Sequence, residues 1–360
     1  MKKQLYKLVL ALLLIPIAAN AHDIGKFKHE KSKSIKKEYS VNADATLKID
    51  NRYGNVDVIS WNENRIVIEV KITVRGDNEE KVVKRLDMIE VEFEGSRSLV
   101  SAKTIIDKNK SNWSWSWGRK SNVNYEINYK VKVPVTNNAI LMNDYGSISL
   151  NELKGDASIN CDYGKIIIGD LHSNNNKINI DYTNNSSIGY MKGGSINADY
   201  SKFTVEEAGN VKLNADYTTS VFEKINDVAY NCDYGSLTIQ NAKSVVGNGD
   251  YLTVKLGSIS NSIKIDSDYG SIRVEDLMNG FDSVIISSSY TGVKIGIPEN
   301  ASFNFELQLS YAGFKRDEGM VNLTKQIVKS SSKYYEGYVN KQNPGSFIKI
   351  NSNYGSVSFY

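Results

Sequence analysis

The sequence predicts an all-β chain wound as a single β-solenoid. Three observations predict it: a corner motif that returns at a near-constant interval, apolar residues alternating on both sides of that corner, and a turn-rich composition. The motif is an Asp-Tyr-Gly-like corner, as in "NCDYGKIIIGDL" at 160–171. Aligned on its tyrosine, it gives Tyr145, Tyr163, Tyr182, Tyr200, Tyr217, Tyr234, Tyr251, Tyr269, Tyr290 and Tyr311, at intervals of 18, 19, 18, 17, 17, 17, 18, 21 and 21. A period near 18 held over so many copies marks a solenoid, in which each coil buries its apolar face only against its neighbours. The chain holds 4 Pro against 26 Gly and 22 Tyr, which suits many turns joining short strands.

The columns within each copy define the coil. Four residues before the tyrosine stand Leu141, Ile159, Ile178, Ile196, Leu213, Ile265 and Ile286; six before it stand Ala157, Val211, Val228, Val245, Ile263 and Val284. After the corner, apolar residues return three and five places on, as in Ile148 and Leu150, or Phe203 and Val205. Alternation at period 2 on both sides of a turn means two strands per unit. A further apolar residue eight places on (Leu153, Leu171, Ile225, Ile259, Leu277) predicts a third, shorter side. Coils of about 17–21 residues, stacked at roughly 4.8 Å, would pair each strand in parallel with its copy. Right-handed winding is expected from the hand preference of parallel crossovers.

The remaining segments follow in chain order. Residues 1–21, "MKKQLYKLVLALLLIPIAANA", have the basic start, short apolar run and small-residue end of a cleaved signal peptide. The apolar run is short for a membrane span, which needs roughly 20 residues. Export to the periplasm, the outer surface or the medium is therefore expected, with no transmembrane segment in the mature chain. Removing this segment takes the formal balance from 44 basic and 41 acidic residues to 41 of each, so the basic pI does not argue for a nucleic-acid partner. Residues 22–38 read as a basic, flexible tail. Residues 39–138 read as a β-rich N-terminal part with the first rungs, one short helix from Asn78 to Ile89, and a tryptophan loop; a separate β-sandwich ending near Pro134 is the alternative. Residues 139–360 read as the regular solenoid, with an irregular insertion at 316–345. "LKIDNRYGNVDV" around Tyr53 and "IKINSNYGSVSF" around Tyr354 carry the same columns, so the gaps of 92 and 43 residues beside them would hold irregular coils.

The "IDNRYGNVDVISW" rung, the "YEINYKVKVP" strand and the iterated "DYGSI" corners resemble an exported putative-adhesin family of unassigned function. Its members have a β-solenoid, the toast-rack or auto-transporter adhesin head type common in Bacteroidetes. The resemblance implies cell-envelope adhesion or service in an envelope-stress system. It supplies no catalytic residues and no cofactor.

Candidate sites are few. Asp144, Asp162, Asp181, Asp199, Asp216, Asp233, Asp250 and Asp268 precede the tyrosine in consecutive rungs. They read as a turn ladder, each carboxylate accepting from a backbone N–H two residues on; a row of Ca²⁺ sites is the competing reading. Asn160, Asn179, Asn197, Asn214, Asn231 and Asn248 read as an amide ladder beside them. The tyrosines share the parity of the inward columns, so packing inward or stacking at the corner is expected over an outward stripe. Trp113, Trp115 and Trp117 in "NWSWSWGRK" are a possible ligand-facing surface, against the plainer reading of a solenoid end-cap. Cys161 and Cys232 fall in one column four rungs apart, about 19 Å, too far for a disulfide, whose Cα atoms lie within about 7 Å. With 3 His and no nucleophile motif, no enzyme is expected, the polysaccharide-active β-helices being the alternative. The expected role is that of an adhesin or envelope interaction module with a protein or glycan partner, the alternative being a periplasmic partner in envelope-stress sensing.

Overall fold

A computed structural model describes residues 27–106, 123–342 and 344–360. The protein is nearly all β, with 72% strand, 3% helix and a β-solenoid of about 9 turns. The signal-peptide segment and the tryptophan loop lie outside the described residues.

Every apolar column read from the sequence points inward. Ile159, Ile178 and Ile196 before the corner, Ile148, Phe203 and Leu237 after it, and Leu153, Leu171 and Ile259 on the third side are all buried. Parallel pairing keeps these columns in register: Ile159 faces Leu141 on one side and Ile178 on the other, and Ile196 faces Leu213. Like therefore stacks on like, and each coil's apolar side chains meet those above and below rather than water.

Both ends depart from simple succession. At the N-terminal end, β1 (His29–Ser40), β2 (Thr46–Arg52), β3 (Val56–Trp61), β4 (Arg65–Gly76), α1 (Glu79–Met88), β5 (Ile89–Gly95), β6 (Leu99–Ile106) and β7 (Val123–Pro134) build a cap. β2 and β3 form a rung laid directly on the regular stack, Ile49 facing Leu141 and Val56 facing Ile148. In its described residues, the 92-residue gap after Tyr53 adds one irregular layer outside that rung rather than coils within the regular stack. Its strands cover the outer side of that first rung instead: β6 pairs in parallel with β2, β7 pairs with β3, and β4 and β1 continue antiparallel from β7. The helix is placed where expected, with Asn78 as its N-cap accepting from the Lys81 N–H at 3.0 Å and Val82 buried beneath it.

From His29 on, the expected flexible tail is corrected by β1, which pairs with β4 along its whole length from His29 to Ser40. Its lysines are what made it read as a tail. On an edge strand they serve another purpose, since charged side chains there discourage pairing with other chains.

At the C-terminal end the order of stacking differs from the order of the chain. Residues Phe347–Asn353 pair in parallel with Ser283–Ser289 on one side and with Phe303–Ser310 on the other. The last rung in sequence is therefore inserted before the rung that precedes it. Beyond it, Ser332–Val339 runs antiparallel to Phe303–Ser310, and Asn322–Val328 forms the outermost edge.

Candidate functional site

The corner motif builds the most regular surface of the molecule. Each tyrosine of the motif has a positive φ, between 50° and 62°, in the left-handed region. That conformation costs an L-residue roughly 1–2 kcal/mol and is ordinarily left to Gly or Asn. It also turns the side chain out of the strand's alternation. The tyrosines therefore do not point inward as their parity suggested; of the two expected arrangements, inward packing is corrected and stacking at the corner is what the chain adopts. They stand outward at the corner, most of them about half exposed.

Twelve rings stack in one column, in the spatial order Tyr53, Tyr145, Tyr163, Tyr182, Tyr200, Tyr217, Tyr234, Tyr251, Tyr269, Tyr290, Tyr354 and Tyr311. Neighbouring centroids lie 4.7 to 5.1 Å apart and the planes differ by 1° to 8°. The column is about 50 Å long at the strand spacing that sets its pitch. An aromatic pair in such an arrangement gains about 0.5–1.5 kcal/mol beyond its burial, which offsets the backbone strain at the same residues. Tyr125 closes the N-terminal end edge-on to Tyr53, at 5.1 Å and 70°, with the Arg85 guanidinium over its own ring. Tyr311 ends the column at the other side and is 65% exposed.

The residue after the tyrosine turns inward. Where it is Gly, close approach explains the choice: a Cβ on Gly146 would lie 1.8 Å from the carbonyl oxygen of Gly54 in the adjacent rung. The positive φ sits on the tyrosine, so the glycine is needed for space rather than for turn geometry. Where the residue is Ser or Thr, the hydroxyl serves the corner backbone. Thr218 Oγ1 donates to Ala198 O at 2.9 Å and accepts from Ser201 N–H at 3.1 Å.

The aspartate column lines one flank of the tyrosines, and its bonding differs from a local turn. Asp199 Oδ1 accepts from the N–H of Asp216 at 3.3 Å, Asp216 Oδ1 from that of Asp233 at 3.1 Å, and Asp233 Oδ1 from that of Asp250 at 2.8 Å. Asp250 Oδ1 accepts likewise from Asp268. The carboxylates thus bridge successive rungs rather than reach two residues along the chain. Backbone bonds run the other way, Tyr217 N–H donating to Asp233 O at 3.0 Å. Arg52 pairs with Asp144 at 3.1 Å and so neutralises one end of the row. Burial, and then the flanking carboxylates of Asp181 and Asp144, push the Asp162 carboxyl above the ordinary range; burial and Asp199 do the same for Asp181. Asp162 Oδ1 is buried and accepts no hydrogen bond. Among the described residues no group of three or more His, Cys, Asp or Glu side chains gathers in a way that could hold a metal ion.

The asparagine column does form an amide ladder in part: Asn197 Nδ2 donates to Asn179 Oδ1 at 2.7 Å, and Asn214 Nδ2 to Asn197 Oδ1 at 2.8 Å. Cys161 and Cys232 are free and buried, and burial pushes both thiols up to about 12. Trp113, Trp115 and Trp117 fall outside the described residues. Two features have no strong sequence signal. Tyr125 is one tyrosine in an ordinary alternating strand. Asn51 and Asn143 sit where other rungs carry small residues, yet they are buried and paired: Asn51 Nδ2 donates to Asn143 Oδ1 at 3.0 Å, and Asn51 Oδ1 accepts from Thr104 at 2.9 Å.

No family model and no curated protein matches the chain. Among solved structures, a putative cell adhesion protein from Clostridium sporogenes is 13% identical, covers 91% of this chain and 99% of its own, and superposes at a TM-score of 0.18. A putative adhesin from Parabacteroides distasonis is 12% identical, covers 91% and 97%, and superposes at 0.31. A putative lipid binding protein from the same species is 10% identical, covers 91% and 97%, and superposes at 0.28. At these scores the likeness assigns no function.

Proposed function

We propose that this chain is a non-enzymatic exported protein of the cell envelope, an adhesin or interaction module that binds through its tyrosine corner. The outward ladder carries this reading. Twelve half-exposed rings in a rigid column form a long aromatic surface, and contiguous apolar patches beyond a few hundred Å² mark interaction sites on soluble proteins. Tyrosine is well suited to such a surface, since it brings a large rigid ring and a polar tip with little side-chain entropy to lose. The strain at each left-handed tyrosine is a second support. Asn or Gly would hold the same backbone at lower cost, so the ring itself is what these positions keep.

The test is binding of the purified protein to intact cells and isolated envelopes of its host. A variant carrying Tyr182→Asn, Tyr200→Asn, Tyr217→Asn and Tyr234→Asn keeps the left-handed corners and removes the central rings. Binding reduced at least ~10-fold is expected, four contact aromatics being lost; equal binding would reject the tyrosine corner as the recognition face. Protease treatment of intact cells locates the protein, since digestion before the envelope is opened places it on the surface.

A further inference from the structure

The ladder is unusual as a recognition surface because its ring faces are already used. Each ring is covered on both faces by neighbours less than 5.2 Å away, except at the two ends of the column. A sugar ring or a flat cation cannot stack along its length. The surface offers only ring edges and phenol hydroxyls, and among the described residues none of the twelve hydroxyls is hydrogen-bonded within the chain.

The partner must match the pitch of this array. The contacts repeat every 4.7 to 5.1 Å, the spacing between strands. An extended peptide laid along the ladder advances about 3.3 Å per residue and so meets the array only once in three residues, at every second ring. A surface made of strands stacked along the same axis stays in step over the whole length.

We propose that the occupant is a second copy of this chain, with the two solenoids lying side by side about a two-fold axis parallel to the stack. The inference rests on the reading of the tyrosine corner as the binding face. A hydroxyl is both donor and acceptor, so a row of phenols is complementary to an identical row in register. The flanks select the direction of the axis. On the incoming side of the corner lie the carboxylates of Asp199, Asp216, Asp233 and Asp250, each at least partly exposed. On the outgoing side, two places after the tyrosine, lie Lys165, Lys202, Thr219, Ser236 and Thr253 with their donor groups, also at least partly exposed. A two-fold axis along the stack sets each carboxylate row against the partner's donor row, whereas one across the stack sets carboxylate against carboxylate. The area suffices: with roughly half of each ring exposed, twelve tyrosines offer on the order of 1,200 Å² per copy, against about 800 Å² per partner in a standard interface.

Sedimentation of the purified protein over a dilution series tests the proposal, with the same four-site Tyr→Asn variant as comparison. A reversible dimer is expected, with a dissociation constant at least ~100-fold weaker in the variant, as four contact aromatics are lost. A second measurement leaves every tyrosine in place and fixes the geometry. D216C and T219C proteins are each oxidised alone and as a mixture. Disulfide-linked dimers that form chiefly in the mixture support the parallel axis; linkage of T219C to itself with none to D216C overturns it. A protein that stays monomeric at every concentration while its tyrosines still govern envelope binding overturns the second-copy proposal and leaves the proposed function standing. If the variant changes neither assembly nor envelope binding, both fail.

Discussion

Tyr354, between the strands Phe347–Asn353 and Val357–Phe359, stacks on Tyr290 at 4.8 Å with the ring planes 3° apart. The rung that carries Tyr311 comes earlier in sequence but lies one place further out, at 5.0 Å from Tyr354. The C-terminal segment is therefore an internal layer of the stack, held by ladders on both sides.

That position makes its core residues costly to remove. Ile350 is fully buried between Ile286 and Leu307. Ile350→Ala should lower stability by about 2–5 kcal/mol, the usual range for a large-to-small change in a core. Ile327→Ala on the exposed outer edge should stay within about 0.5 kcal/mol. Denaturant melts of the two variants check this, and equal midpoints would mean that the C-terminal layer is not part of the cooperative core.

The left-handed tyrosines give an ordered series at one site. Tyr217→Asn and Tyr217→Val both remove a ring from between Tyr200 and Tyr234, and with it two stacking contacts of about 0.5–1.5 kcal/mol each. Only the valine must also hold φ near 53° with a branched Cβ, a conformation that is a true outlier for that residue. The valine variant should melt lower than the asparagine variant. The opposite order would place the cost of the corner elsewhere than in its backbone.

Acid should act favourably on two members of the aspartate column. Asp162 and Asp181 have carboxyls raised above the ordinary range, so the folded chain binds these protons more readily than the unfolded chain does. Their ionisation therefore opposes folding. Stability linked to them is gained as pH falls through the raised values and lost as pH rises through them. Asp162→Asn should melt higher than the native protein at neutral pH, and the difference should shrink on acidification through that window. A constant difference across the titration would refute the linkage.

The two thiols should be inert in the folded protein. Both are buried in the column two residues before the tyrosine, with little thiolate present at neutral pH. An aromatic disulfide reagent should label neither Cys161 nor Cys232 until denaturant is added, and then label both. Reductant should leave the melting temperature unchanged.

The stack itself was legible because inward residues repeat at fixed offsets from the tyrosine, and parallel pairing preserves those offsets from rung to rung. Ile159, Ile178 and Ile196 could be aligned on sequence alone and are aligned in space. The tyrosine's direction was not legible from parity, because one left-handed residue breaks the alternation on which parity rests. The aspartate column is legible in the repeat but its partners are not: a carboxylate that bonds a backbone N–H in the next rung uses a contact that local turn rules do not describe. The placement of Tyr354 between Tyr290 and Tyr311 was hidden for a related reason, since the spacing of a repeat shows which segments form rungs and is silent on their order. β1 is not legible as a strand because the lysines that protect an edge strand resemble those of a solvated tail.

The inserted C-terminal layer also sets a timetable for assembly. A chain that emerges N-terminus first can zip its rungs one upon another from Tyr145 to Tyr290, each new coil finding a finished template. Phe303–Ser310 emerges next but has no template, because the layer it must join, Phe347–Asn353, is made after it. The distal tip, with its exposed Tyr311, is thus completed only once residues 347–359 are available, and a chain cut short before them is left without its outer end.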